Sequence, residues 1–118
     1  MMPSNGNAPR VPDAAGQLVC LVHGSCQVVA VQPRIYDGEQ KKDKDTGAPI
    51  WQLSVLHTDD EGGVELIKVN YPAQRKPAEL VGKERKGGTQ LKAMFWQMSS
   101  GRNGWSYSID DSLVRQFS

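Results

Sequence analysis

The stretch from Thr89 to Ile109, TQLKAMFWQMSSGRNGWSYSI, combines aromatic rings with nearby cations. Four of the chain's eight aromatics lie there: Phe95, Trp96, Trp105 and Tyr107. From Leu66 to Trp105 the chain carries Lys68, Arg75, Lys76, Lys83, Arg85, Lys86, Lys92 and Arg102 against only Glu79 and Glu84, a local charge of +6 where the whole chain has +1. Cations that track phosphates and ring faces on which bases stack are what a single-stranded nucleic acid asks of a protein. A basic region in a near-neutral chain is the footprint of phosphate contact. Each stacked base contributes ~1–3 kcal/mol, so two or three accessible rings suffice. The competing reading is that these lysines only solvate loops. Among Tyr36, Trp51, Tyr71, Trp96, Trp105 and Tyr107, the first choices for stacking are Tyr71 and Trp96, whose faces already carry charge. Tyr36 follows, beside Arg34 at a loop edge, and Trp105 is ambiguous.

Other chemistries find less support. No G-x-S-x-G, H-E-x-x-H or phosphate-loop pattern occurs, and Asp59-Asp60-Glu61 reads as a turn, so no enzyme is expected. Cys20 and Cys26 on one extended strand would stand roughly 20 Å apart at ~3.3 Å per residue, so a disulfide needs a sharp turn near Gly24 and buried free thiols are expected. His23 and His57 add no metal-ligand spacing to them. Asp43, Asp45 and Gly47 hint at a calcium loop, but the later ligands and closing Glu are missing and Lys41, Lys42 and Lys44 would repel a cation. No cofactor or metal is expected.

The elements that position these residues are mostly strands. At 118 residues the chain makes one domain. No run of eighteen apolar residues suggests a membrane span. Residues 1–16 read as a disordered polar leader without the apolar centre of a signal peptide, which points to the cytoplasm, and residues 17–118 as a single β-barrel domain. Gln17–Tyr36 is rich in Val, Leu, Ile and Cys and reads as strand, with Gly24 marking a bulge or bend in one long strand or the break between two. Asp37–Pro49 reads as a mobile polar loop. In Ile50–His57, Trp51, Leu53, Val55 and His57 share one face, and Trp51, Leu53 and Val55 are assigned to the core. TDDEGG (58–63) turns the chain into Val64–Tyr71, where Val64, Leu66, Lys68 and Asn70 oppose Glu65, Ile67, Val69 and Tyr71. After Pro77, Ala78–Val81 fits a single helical turn. The 89–109 stretch reads as a hairpin turning at Ser99–Gly104, with Leu91, Ala93 and Phe95 inward and Lys92, Met94, Trp96 and Met98 outward.

Five or six strands with tight turns and no long helix predict an all-β fold. A small five-stranded antiparallel barrel of the OB type solves the edge-strand problem at this size, with an SH3-like barrel as the alternative. The order of elements also resembles filamentous-phage helix-destabilising proteins and other small phage or plasmid single-stranded-DNA-binding proteins. The matching pieces are Lys44-Asp45-Thr46-Gly47-Ala48-Pro49-Ile50-Trp51, Leu66-Ile67-Lys68-Val69 and Leu80-Val81-Gly82-Lys83. The first of these also resembles replication and excision activators of actinobacterial mobile elements. Glu84-Arg85-Lys86-Gly87-Gly88 departs from the pattern and delays the next strand to about Thr89. The resemblance implies cooperative, sequence-tolerant binding of single strands by a dimer. The partners expected are thus single-stranded DNA, with RNA left open, and a second copy of the chain, with no membrane. The binding residues expected are Arg34, Tyr36, Lys68, Tyr71, Arg75, Lys76, Lys83, Arg85, Lys86, Lys92, Trp96, Arg102 and Trp105. The alternative is a protein-interaction module, a replication accessory factor offering Met94, Trp96 and Met98 as an apolar patch.

Overall fold

Alternation of apolar and polar residues is borne out as strand along most of the chain. The computed structural model describes residues 10–12, 18–97 and 99–118, with the backbone alone described at 10–12, 18, 95–97 and 103. The strands are β1 (Arg10–Pro12), β2 (Leu18–Val22), β3 (Ser25–Pro33), β4 (Ile35–Tyr36), β5 (Glu39–Gln40), β6 (Ile50–Thr58), β7 (Val64–Pro72), β8 (Glu84–Arg85), β9 (Thr89–Gln97) and β10 (Asn103–Ser108). Two short 3-10 helices, Ala78–Leu80 and Leu113–Gln116, complete the elements. The fold is all-β, and among the described residues no helix is long and apolar enough to cross a membrane. Within the expected leader, Arg10–Pro12 pair with Leu18–Cys20; the rest of residues 1–16, except these three, lies outside the described residues.

One curled sheet runs in the order β1-β2-β9-β10-β7-β6-β3-β8, and β4 and β5 form a separate hairpin. β2 pairs with β9 on one side of that order and β3 with β6 on the other, yet only His23 and Gly24 separate β2 from β3. Of the two expectations for Gly24, the break is the one observed. Its φ is +92°, and a Cβ there would collide with the Thr58 carbonyl oxygen, so the kink needs glycine. A bulge at Val29 then shifts the register of β3 against β6.

The expected barrel is antiparallel throughout, but one pairing in the sheet is parallel. β10 lies parallel to β7, with Tyr107 opposite Val69 and Ser108 opposite Asn70. The cause is the 73–88 connection. It carries the chain past the 3-10 turn at Ala78–Leu80 to β8, on the outer edge of β3, before β9 begins. The β9–β10 hairpin therefore meets β7 from the other side, and its second strand runs with β7.

The inward faces form one core of Val28, Val31, Leu53, Val55, Val69, Tyr71, Leu91, Ala93 and Ile109, with both cysteines among them as free thiols. Burial pushes the Cys26 thiol up from its ordinary value, with Thr89 pulling the other way. Trp51, Trp105 and Tyr107 pack partly buried against this core, and the Trp51 indole donates to the Ala73 carbonyl at 2.9 Å. The Phe95 side chain, also expected inside, lies outside the description. The C-terminal segment packs on the body. Phe117 is buried, the Gln116 carboxamide exchanges hydrogen bonds with the Gln90 backbone (2.8 and 2.7 Å), and Ser118 exchanges two with Glu84 (3.0 Å each).

The expected mobile loop 37–49 is built instead from tight turns. Asp37 (φ 54°) and Gly38 (φ 80°) form the two-residue connection of the β4–β5 hairpin, the Asp-Gly pair that a type I′ turn favours. The Asp43 carboxylate accepts the Thr46 backbone N–H (2.9 Å), the Thr46 hydroxyl (3.0 Å) and the Asp45 N–H (3.2 Å). Those bonds, the Thr46 N–H foremost, hold its pKa below the ordinary carboxylate value.

Candidate nucleic-acid interface

Strand alternation sends half of each strand's side chains away from the core, and pairing aligns them in rows across the sheet. Gln32, Gln52, Asn70, Ser108 and Lys92 are successive register partners on β3, β6, β7, β10 and β9. Hydrogen bonds join Gln32 Nε2 to Gln52 Oε1 (3.4 Å) and Arg34 Nη1 to Asn70 Oδ1 (3.3 Å). One row further along β7 and β6, Lys68 Nζ donates to Ser54 Oγ at 2.7 Å, and β10 and β9 place Ser106 opposite Met94. Met94 is among the more exposed apolar side chains.

Above this outer face opens a cleft of about 1010 Å³. Its floor is Arg34, Asn70, Ser106, Ser108, Lys92 and Met94; one wall is the 41–50 segment and the other the 72–79 connection with Asp110 and Asp111. Three backbone hydrogen bonds fix the first wall: Arg34 N–H to Ile50 O (3.1 Å), Lys41 N–H to Arg34 O (2.9 Å) and Ile50 N–H to Lys41 O (2.8 Å). At its outer end Tyr36 is 71% exposed on the β4–β5 hairpin, and the Lys41 ammonium lies 5.3 Å from its ring centroid, within cation–π range.

The cleft is not uniformly basic. Arg34, Lys41, Arg75 and Lys92 line it together with Asp43, Asp45, Glu79, Asp110 and Asp111. Three of those acids are engaged within the protein: Asp43 in its own turn, Asp111 by the Tyr71 hydroxyl (2.7 Å), and Asp110 by Lys92 (3.0 Å) and the Leu113 N–H (2.9 Å). Burial raises the Asp110 pKa, but these hydrogen bonds and the Lys92 charge outweigh it, so the net shift is downward.

The expected binding residues divide between several places. Arg34, Tyr71, Arg75 and Lys92 line the cleft, Tyr36 is not in the lining but meets the lining residue Lys41 5.3 Å from its ring centroid, and Lys68 lies one row beyond the floor. Lys76 is exposed beside Arg75, and Arg102 is exposed on the turn between β9 and β10. Tyr71 requires a correction. It lines the cleft but is only 9% exposed, with its ring packed in the core and its hydroxyl held by Asp111, so little of its face is open to a base. Burial, then the Asp111 hydrogen bond, push its pKa up to about 12. Trp105 packs partly buried against the core. The Trp96 and Met98 side chains lie outside the description, although the Trp96 backbone pairs with Gly104.

Lys83, Arg85 and Lys86 do not line the cleft. Arg85 pairs with Cys26 at the far end of β3, and Arg34 follows Cys26 by eight residues, roughly 25 Å of extended chain. The Arg85 Nε–H donates to Gly88 O at 3.0 Å and Lys86 lies 3.7 Å from Glu84, an exposed pair of little energetic weight. A second, smaller hollow of about 260 Å³ lies near His23, His57, Asp59 and Glu65. There the His57 Nε2–H donates to the His23 carbonyl at 2.6 Å and Nδ1 lies 3.1 Å from Glu65 Oε1. Among the described residues no group of three or more His, Cys, Asp or Glu could hold a metal.

Asn70, Ser108 and Lys41 escaped the sequence reading. Alternation did set Asn70 beside Lys68, and the Asp37-Gly38 pair is a hairpin signal that would have returned Lys41 to Tyr36. No protein-family profile matches the chain, and no curated protein or solved structure matches it either.

Proposed function

We propose that the chain binds single-stranded nucleic acid, DNA in the first instance, along the outer face of the sheet and across the mouth of the cleft. The observation that carries this reading is the grouping of Arg34, Lys68 and Lys92 on one outer face next to the exposed Tyr36. Phosphates would lie on the cations, and bases against the Tyr36 ring and the Met94 side chain. Stacking of this kind tolerates most sequences.

We further infer a five-stranded barrel of the OB type, with β2 and β3 as two halves of one bent strand that serves both sides of the sheet. The pairing order supports this: β2/β3, β6 and β7 in succession, β10 parallel to β7, then β9 returning to β2. A role in phage or mobile-element replication, and a dimer, follow from the resemblance of the 44–51 stretch. Two buried thiols suit a reducing, cytoplasmic compartment.

A second reading is a protein-interaction module. The exposed Met94 and the exposed acids Asp45 and Glu79 along the cleft favour it. Fluorescence anisotropy of a labelled dT oligonucleotide at two salt concentrations separates the two. The expected result is binding that weakens with salt and drops by ~5- to 100-fold for Tyr36→Ala, the loss of one stacked base. No binding at low salt would reject the nucleic-acid reading in favour of the protein module.

A further inference from the structure

We propose that the floor of the cleft also reads base edges and favours the 4-keto pyrimidines (thymine, uracil) over the 4-amino pyrimidine cytosine. This proposal rests on the single-strand reading above. Its basis is the hydrogen-bonding polarity of the Asn70 row. A guanidinium has donors only, so the Asn70 atom that Arg34 meets at 3.3 Å is necessarily the carbonyl oxygen. That contact fixes the carboxamide orientation and leaves the Nδ2 amide, with its two donors, for a ligand. Ser108 and Lys92 follow Asn70 in register on the next two strands. At ~4.8 Å between strands, Asn70 and Lys92 are roughly 10 Å apart, so one base edge fits between them.

The groups that meet this edge are rich in donors: the Arg34 guanidinium, the Asn70 amide and the Lys92 ammonium, with the Ser106 and Ser108 hydroxyls able to accept as readily as donate. The nearest carboxylate, Asp110, already accepts from Lys92 and from the Leu113 N–H. Thymine presents O4 and O2 acceptors to such a floor. Where thymine carries its O4 acceptor cytosine carries an amino donor, which this donor-rich floor meets less well, while cytosine O2 and N3 still accept. Ring size and stacking are similar in these two pyrimidines, so the difference between them isolates the hydrogen-bonding edge. The expected result is a graded preference superimposed on stacking, not a sequence code.

The test is the full chain titrated into labelled dT and dC oligonucleotides of equal length at one salt concentration. Wild type is expected to bind dT at least about fivefold more tightly, the lower end of discrimination by one well-paired base edge. Asn70→Asp keeps the side-chain shape and gives Arg34 a carboxylate to hold, but replaces the amide donors with an acceptor. Its added negative charge weakens both oligonucleotides alike, so the ratio is the readout, and it is expected to fall to about one or invert. Equal affinities of wild type for dT and dC would overturn the base-reading proposal and leave single-strand binding intact. A dT preference that survives Asn70→Asp would overturn it as well, tracing the preference to the backbone or to stacking. Binding to neither oligonucleotide would overturn both readings.

Discussion

If the cleft face holds the phosphates, alanine at Arg34, Lys68 and Lys92 together changes the salt dependence of binding, whereas alanine at Lys83, Arg85 and Lys86 leaves it alone. The two triples remove the same formal charge, so net charge cannot distinguish them. Position can. Arg85 pairs with Cys26, and Arg34 follows Cys26 by eight residues, roughly 25 Å along β3 at ~3.3 Å per residue. Screening at 0.1 M salt acts over ~10 Å, so Arg85 stands more than two screening lengths from Arg34 along the strand, and Lys83, whose carbonyl accepts the Val28 N–H, about two. For single strands each phosphate contact contributes ~0.7 to the slope of log affinity against log salt. Loss of three contacts lowers the slope by about 2, and a fourfold rise in salt then weakens the cleft variant roughly fifteen- to twentyfold less than wild type. The side chains concerned are exposed or half-buried, so unfolding midpoints are expected to move by no more than about 1 kcal/mol per site. The assay is anisotropy of a labelled dT oligonucleotide across a salt series, with circular dichroism to check folding. Equal slope changes in the two triples would refute the location of the interface. An unchanged slope in the cleft triple would refute the phosphate contacts themselves.

Three further outcomes concern the scaffold. Gly24→Ala forces a side chain into a φ of +92° and against the Thr58 carbonyl, so urea denaturation is expected to show a loss of at least ~2 kcal/mol; an unmoved midpoint would refute the account of the kink. Tyr71 has a folded pKa of about 12 against the ordinary tyrosine value of about 10, so its protonated form is favoured by folding. The stability it contributes is whole below pH 10 and is lost as pH rises from 10 towards 12; Tyr71→Phe should remove that part of the alkaline decline, and an identical pH profile in the variant would refute the link. Phe117→Ala opens a cavity under the C-terminal segment and is expected to cost ~3 kcal/mol, while a loss below ~1 kcal/mol in thermal or urea unfolding would mean that the segment only rests on the surface.

Much of the fold was legible because alternation is a local property. β6 buries Leu53 and Val55 as expected, β7 keeps its two alternating sets apart with Val69 inward and Lys68 outward, and β9 buries Leu91 and Ala93 while turning Lys92 and Met94 away. The helical turn after Pro77 and the break at Gly24 were readable from single residues with restricted or unusual backbone freedom. Short pairings were not. β8 and the bridge between Ser118 and Glu84 are held by backbone hydrogen bonds, which leave no periodic side-chain pattern. The segment 37–49 hid a hairpin behind its polar composition, since its order comes from two positive-φ residues and from the Asp43 carboxylate.

For the candidate site, the sequence alone determined the residue types: cations, aromatics, and no catalytic motif. It also determined which strand faces turn outward, because that follows from neighbours along the chain. Tertiary structure decided which of those residues meet. Asn70 stands beside Ser108 only because β10 runs parallel to β7, and Lys92 joins the same row through β9. Tyr71, between the exposed cations Lys68 and Arg75, is held inward by packing and by Asp111. The basic residues of 66–105, continuous in the chain, were divided because β8 docks at one end of β3 and Arg34 stands at the other. Charge and alternation are written residue by residue, but a binding surface depends on the register between strands far apart in the chain, and that register is set by the packing of the whole core.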